Sequence, residues 1–286
     1  MFMVIYSHSD CVAYKAEGHP EAPERVLHTT TYLKETLSLE WEQPELAKEK
    51  TLRLAHTQKH LERVQASEAF DADTPSYKGI YDIARYGTGA ALEAAESALA
   101  GKPAFSLMRP PGHHATQEQA MGFCYLNHIA IAALEARRQG IEKVAVWDFD
   151  VHHGNGTEAI LKEHPSMLFV SVHQYPGYPG TGVRSEQNCR NYPLPPNTAV
   201  ETYMETLKIS WEEVLRFEPD LLLVSAGFDG YQGDPITQMT LRQEDFGTLG
   251  QWIGSAGVPT AAILEGGYSS DLPKLVGNFI EGWLHG

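Results

Sequence analysis

Positive charge is scarce in this chain. Its 286 residues carry 22 lysines and arginines against 37 aspartates and glutamates, a formal charge of −15. That balance excludes nucleic-acid binding through a basic face and leaves an acidic, solubilising surface as the expectation. Cysteine is scarcer still. Cys11, Cys124 and Cys189 form no pair with ligand-like spacing, which excludes a disulfide scaffold and a cysteine zinc ribbon. They read as free thiols in a reducing compartment. No apolar run approaches membrane-spanning length, and the apolar start over 1–6 is too short for a signal peptide and lacks a basic leader. A soluble cytoplasmic protein is expected. Repeats, low-complexity tracts and flexible linkers are missing too, so residues 1–286 are expected to form a single domain, with chain enough for a large core.

What is present is a regular alternation of strand-like and helix-like segments. Strands are predicted over 3–6, 104–107, 144–148, 168–172, 221–225 and 260–264. Helices are predicted over 24–37, 58–67, 76–100, 127–139, 156–163, 200–216, 242–256 and 272–283. This rhythm predicts an α/β fold with a mostly parallel sheet and helices on both faces. Two Pro/Gly-rich segments, 109–122 and 175–198, read as long functional loops.

The densest chemistry lies in Asp148-Phe149-Asp150-Val151-His152-His153-Gly154-Asn155, directly after the apolar run Val144-Ala145-Val146-Trp147. A buried strand ending in carboxylates and imidazoles needs a cation or a hydrogen-bond network to satisfy them. Alternation places Asp148, Asp150 and His152 on one side. Oxygen and nitrogen donors together suit a divalent metal, zinc first and iron(II) second. Asp229, just past another apolar strand, is the best third ligand. Other polar groups also follow predicted strands: His113 and His114 after 104–107, Ser171 after 168, Tyr268 after Gly266 and Gly267. Ligands of open α/β sheets bind outside the carboxyl ends of the strands, so these loops are expected to converge on one rim. His113 and His114 have orienting candidates in Asp148 and Asn155. A carboxylate partner favours a charged imidazole, an amide partner a neutral one, which divides the two into stabiliser and proton shuttle. Tyr268 is placed to donate to an oxyanion, while Phe123 and Tyr178 are candidate walls of an apolar slot.

In order along the chain, several motifs closely resemble the zinc-dependent histone deacetylase and acetylpolyamine amidohydrolase superfamily. They are His19-Pro20-Glu21-Ala22-Pro23-Glu24-Arg25, Arg109-Pro110-Pro111-Gly112-His113-His114-Ala115, Gly122-Phe123-Cys124-Tyr125-Leu126-Asn127, Asp148 to Thr157, Ser225-Ala226-Gly227-Phe228-Asp229, Gly233-Asp234-Pro235 and Glu265-Gly266-Gly267-Tyr268. Asn155 and the Arg-Pro-Pro-Gly-His-His form resemble the class II branch and its bacterial relatives. The resemblance implies a three-layer α/β/α arginase-like fold and zinc on Asp150, His152 and Asp229. It implies His114 as general base and acid oriented by Asn155, and His113 paired with Asp148 as electrostatic partner. Tyr268 would polarise the carbonyl, and the Gly122 carbonyl would accept the substrate amide between Phe123 and Tyr178, with Gly266 also at the substrate site. Asp73 matches a rim carboxylate that grips the substrate backbone, and Arg25 an arginine of an internal acetate channel. Structural potassium would sit on backbone oxygens of Asp148, Asp150 and His152 with Ser171 and Val172, and a second on Leu161, His164 and Met167. The chain resembles a bare catalytic domain, without the additions that place eukaryotic members on chromatin. Ile236 stands where acetylpolyamine-specific members carry a gatekeeper Glu, which points away from polyamines. The expected substrate is an acylated lysine of a peptide or protein. The alternatives are a small acylated amine or, remotely, a non-catalytic acyl-lysine binding module. Acyl-chain preference and oligomeric state are left open.

Overall fold

The computed structural model describes residues 3–67 and 69–286. The strands are β1 (Val4–Tyr6), β2 (Glu40–Glu42), β3 (Ala104–Ser106), β4 (Val144–Asp148), β5 (Met167–Gln174), β6 (Cys189–Leu194), β7 (Leu221–Ala226) and β8 (Thr260–Leu264). They form one eight-stranded sheet in the order β2-β1-β3-β8-β7-β4-β5-β6, parallel at every pairing. The helices are α1 (Glu24–Thr36), α2 (Glu49–Leu52), α3 (Gln58–Gln65), α4 (Ile80–Leu99), α5 (His128–Arg138), α6 (Asn155–Leu161), α7 (Val200–Phe217), α8 (Gln243–Ser255) and α9 (Leu272–His285).

The central strands are buried on both faces because their successive side chains enter two separate cores. In β4, Ala145 and Trp147 join an aromatic core with Trp211, Phe228, Phe246, Phe279 and Trp283, under α7, α8 and α9. Val144 and Val146 join the opposite core, built from the alanines of α4 and α5. β7 repeats the division, with Leu222 and Val224 on one side and Leu221 and Leu223 on the other. Helices on both faces of a parallel sheet make the three-layer α/β/α architecture expected. Trp147, fully buried, donates its indole N–H to Ser210 Oγ at 3.0 Å, so its polar atom is satisfied inside the core.

Two strands and one helix were not predicted. β2, Glu40-Trp41-Glu42, and β6, inside the expected loop 175–198, both lie at edges of the sheet. Edge strands need one apolar face at most and tolerate charge and proline, so neither carries the apolar run of a central strand. α2 is a single turn. α4 starts at Ile80 rather than at 76, because Gly79 with φ +81° breaks the helix before it. At the other end of the construction, strands β3, β8, β7 and β4 lie side by side and their carboxyl ends open onto one rim.

Candidate metal and catalytic site

β4 and β7 pair with Asp148 beside Ser225. Asp150 and His152 follow the first strand and Asp229 the second, so short chain lengths bring all three together. One donor atom from each lies within 4.8 Å of the others, and both carboxylates are fully buried. Among the described residues this is the only such cluster. His152 Nδ1 lies 2.9 Å from Asp229 Oδ2 and 3.2 Å from Asp150 Oδ1. Burial opposes charge on His152, yet Asp229 and Asp150 outweigh it and push its pKa up to about 10. A field that holds a buried proton so firmly equally favours a divalent cation, and two carboxylates with one imidazole are a suitable donor set. The residues present therefore fit a metal.

The carboxylate oxygens also take backbone N–H groups, from their own loop and from others. Asp229 Oδ1 accepts from Val151 at 3.0 Å, Asp150 Oδ2 from Gly266 at 2.7 Å, and Asp150 Oδ1 from His152 at 2.8 Å. Gly266 is needed for closeness. A Cβ there would come within 2.1 Å of Asp229 Oδ2 and 2.6 Å of Asp150 Oδ2. Gly266 thus packs directly against the two carboxylates, and its N–H fixes Asp150.

His113 and His114 lie with ring centroids 4.0 Å apart, both buried. His113 Nδ1 is 3.0 Å from Asp148 Oδ2, and His114 Nδ1 is 2.8 Å from Asn155 Oδ1. Burial lowers the His113 pKa, but Asp150, Asp148 and Glu265 outweigh it and push it up to about 10. His114 moves the other way, held well below the usual imidazole range by burial and by its neighbours His113 and His152. The Asn155 amide nitrogen points to the His114 carbonyl and to Met121 Sδ, each at 3.5 Å, which leaves its oxygen facing the ring. His114 Nδ1 accordingly carries the proton, and Nε2 is the basic atom.

Glu265, quoted in a motif but given no role by sequence reasoning, joins the histidine loop to β8. Its Oε2 accepts from the backbone N–H of Gly112 at 2.7 Å and of His113 at 3.1 Å, and Ser225 Oγ donates to Oε1 at 3.2 Å. Burial pushes its pKa up to about 7.

A cavity of about 320 Å³ opens above these groups, lined by His114, Gly122, Phe123, His152, Tyr178, Ile236, Asp73, Tyr268, His19 and Pro20. Phe123 and Tyr268 meet edge to face at 5.7 Å, and Tyr178 stands perpendicular to His114 at 5.1 Å. Gly122 has φ +56°, and a Cβ there would strike the His114 ring at 2.4 Å. Phe123, at φ +70°, is held by its N–H donating to Thr74 Oγ1 at 3.1 Å. Burial drives the Tyr268 phenol far above its ordinary pKa, so it is a neutral donor. His19 and Pro20 were missed as cavity residues. They lie far from the other motifs in sequence, and His19 reaches the slot by stacking edge-on against Phe123 at 4.7 Å.

Arg25 sits beneath this loop. Its Nε donates to the Gly267 carbonyl at 2.7 Å, Nη2 to that of Glu265 at 2.5 Å, and Nη1 to Glu21 Oε1 at 3.2 Å, with the guanidinium 4.7 Å from the Tyr268 ring centroid. Glu21 also pairs with the fully buried Arg109. Of the residues expected around potassium, Ser171 Oγ contacts His173 Nδ1 at 2.9 Å, and Val172 is in β5. The Leu161 and Met167 carbonyls both accept from Asn188 Nδ2, at 2.8 and 3.2 Å, and the His164 carbonyl from the Met167 N–H at 2.9 Å.

The sequence model of the histone deacetylase domain matches residues 19–282. The chain belongs to the histone deacetylase family. Among its relatives is the histone deacetylase-like amidohydrolase of Pseudomonas aeruginosa, 37% identical over 279 residues that cover 89% of this chain and 73% of that protein. Of solved structures, the HD domain of HDA15 superposes with a TM-score of 0.92 at 29% identity, covering 99% of this chain and 91% of that one. The acetylpolyamine aminohydrolase of Burkholderia pseudomallei gives 0.90 at 28% identity, covering 98% of each chain. The sheet and its flanking helices are thus those of histone deacetylase, an arginase-like fold, and the family comprises deacetylases and amidohydrolases. Among the described residues no helix is long and apolar enough to cross a membrane.

Proposed function

We propose that this histone deacetylase family member is a zinc-dependent amide hydrolase that removes acetyl or other acyl groups from lysine ε-amines, with residues 1–286 as one catalytic domain. One observation carries the reading. Two adjacent buried histidines have opposite partners, carboxylate and amide, beside a donor cluster fit for a metal at the base of a slot. Asp150, His152 and Asp229 would hold zinc, or iron(II) in its place, which when bound would supply Lewis acidity at the base of the slot. His114 Nε2 takes the proton of the attacking water and returns it to the departing amine. His113, kept charged by Asp148, stabilises negative charge as it develops. Tyr268 donates its phenol proton in a hydrogen bond to the oxyanion. The Gly122 carbonyl accepts the scissile amide N–H, Phe123 and Tyr178 enclose the lysine methylenes, and Asp73 holds the peptide backbone at the rim. Arg25 lies where departing acetate would pass. Potassium at the backbone oxygens around Asp148 and at Leu161, His164 and Met167 would brace the loops, and three unpaired buried cysteines favour a reducing cytoplasm.

A small acylated amine is the second reading, favoured by the likeness to an acetylpolyamine aminohydrolase. Against it stands Ile236 at the mouth, which offers no charge to an ammonium group. The test is kcat/KM of metal-reconstituted protein on acyl-lysine peptides and on acetylated polyamines. A preference for the peptides supports the first reading. A preference for polyamines replaces it with the second, and metal-loaded protein that binds without turnover on either set refutes both.

A further inference from the structure

We propose that Asp234 is a positioning residue that aims Tyr268 and at the same time sets the wall formed by Ile236. The inference rests on the role given above to Tyr268. Asp234 is 7% exposed, and no cationic side chain neutralises it among its hydrogen-bond partners. Its Oδ2 accepts the backbone N–H of Tyr268 at 2.7 Å, and its Oδ1 accepts that of Ile236 at 3.0 Å. Both partners line the slot. A buried carboxylate whose two oxygens are spent on main-chain donors of two cavity residues fixes where those residues stand.

The support of Asp234 is itself stiff. Its N–H donates to the Tyr231 carbonyl at 3.0 Å, and Gln232 and Leu241 close the same loop through backbone bonds of 2.8 Å to Leu241 and 3.0 Å to Gly230. The Tyr231 hydroxyl lies 3.2 Å from Asp271 Oδ2, at the start of α9. From below, Arg25 holds the carbonyls of Glu265 and Gly267. The segment 265–268 is therefore held at its N–H groups by the carboxyls of Asp150 and Asp234 and at its carbonyls by Arg25. Of these holds Asp234 is the one on Tyr268 itself, so releasing it frees the residue that carries the phenol, and a shift of about 1 Å at a reacting group costs on the order of 10²-fold in rate.

The test is a cycle of holoenzyme variants: wild type, Asp234→Asn, Tyr268→Phe and the double variant, each with kcat, KM, metal content and melting temperature. Asparagine keeps the shape but presents an NH₂ group to one of the two N–H donors. We expect Asp234→Asn to lower kcat about 10- to 100-fold with full metal content, and to lower it less than threefold further once Tyr268 is already phenylalanine. Independent, multiplying losses overturn the proposal, as does an unchanged kcat in the single variant. Should Asp234→Asn not fold, Asp234→Glu, which keeps both acceptors on a longer arm, is measured in the same cycle. Failure of both to fold makes Asp234 a structural residue and overturns the proposal too. If Tyr268→Phe alone retains full activity, it is the reading of Tyr268 that fails, and the cycle shows which of the two it is.

Discussion

Replacing Gly266 by alanine adds one methyl group against the two carboxylates of the donor cluster. Gly266 is outside the left-handed region, so alanine meets no backbone strain there. What it meets are Asp229 Oδ2 at 2.1 Å and Asp150 Oδ2 at 2.6 Å. Ordinary contact begins near 3.4 Å, so the first oxygen must move by about 1.3 Å. Neither carboxylate has room to give. Asp150 is tied to the N–H groups of His152 and Gly266 itself, and Asp229 to Val151. The displacement therefore falls on the donor geometry. Losses of 10- to 100-fold in metal affinity follow the milder case of removing a group that merely orients a ligand, so Gly266→Ala should exceed that. The assay is metal titration of chelator-stripped protein, by calorimetry or elemental analysis after dialysis, with Gly247→Ala as control. Gly247 lies in α8, where an added Cβ meets nothing closer than 3.5 Å, and should change metal binding not at all while gaining up to about 1 kcal/mol of helix stability. A Gly266→Ala protein that folds and keeps wild-type metal affinity would show that the two carboxylates do not share a metal.

Tyr268→Phe should keep fold and metal and lose about 10²–10³ in kcat, since the phenol acts only on the developing oxyanion; a near-normal kcat refutes this. His114→Ala should cost about 10²–10⁴ in rate and exceed His113→Ala at equal metal content, because His114 keeps a basic nitrogen and His113 holds its proton; the reverse order refutes the division of labour. In metal-free protein the His113 pKa lies near 10, above the value of about 6.5 for an unfolded chain. Its contribution to stability is thus complete below about pH 6.5 and fades as pH rises toward 10. The stability difference between wild type and His113→Gln, from urea unfolding, should shrink across that window, and a difference constant from pH 6 to 10 contradicts a proton held on His113 by Asp150, Asp148 and Glu265.

The six central strands were legible because burial on both faces writes them as apolar runs, Val144-Ala145-Val146-Trp147 being the clearest. β2 and β6 were not, since an edge asks little of its residues. In the site, side chains whose chemistry is rare in a core stood out: Asp150, His152 and Asp229, and the two histidines, whose expected partners Asp148 and Asn155 are those the structure brings to them. What escaped was the scaffolding. Glu265, Asp234 and Thr74 act on backbone N–H groups, and a backbone donor has no letter in the sequence. Arg25 was quoted for a channel, and its hold on the Glu265 and Gly267 carbonyls was equally invisible. His19 joins the slot through its ring against Phe123 and its Nε2 at the Asp73 carbonyl, contacts no local pattern records.

The hydrogen bond from Gly266 to Asp150 spans 116 positions of chain, and that from His113 to Glu265 spans 152. β8 lies between β3 and β7 in the sheet although it is made last. During synthesis, then, β4 and β7 can meet and Asp150, His152 and Asp229 can gather, but the backbone donor that seats Asp150 and the carboxylate that seats His113 arrive only with residues 265 and 266, after β7 has been made. Insertion of that late strand into the middle of a waiting sheet is a long-range closure, slow by nature. On the proposed reading, a chain that has not yet made β8 lacks both the N–H that seats Asp150 and the carboxylate that holds the His113 loop, so metal binding is expected only once that strand is in place.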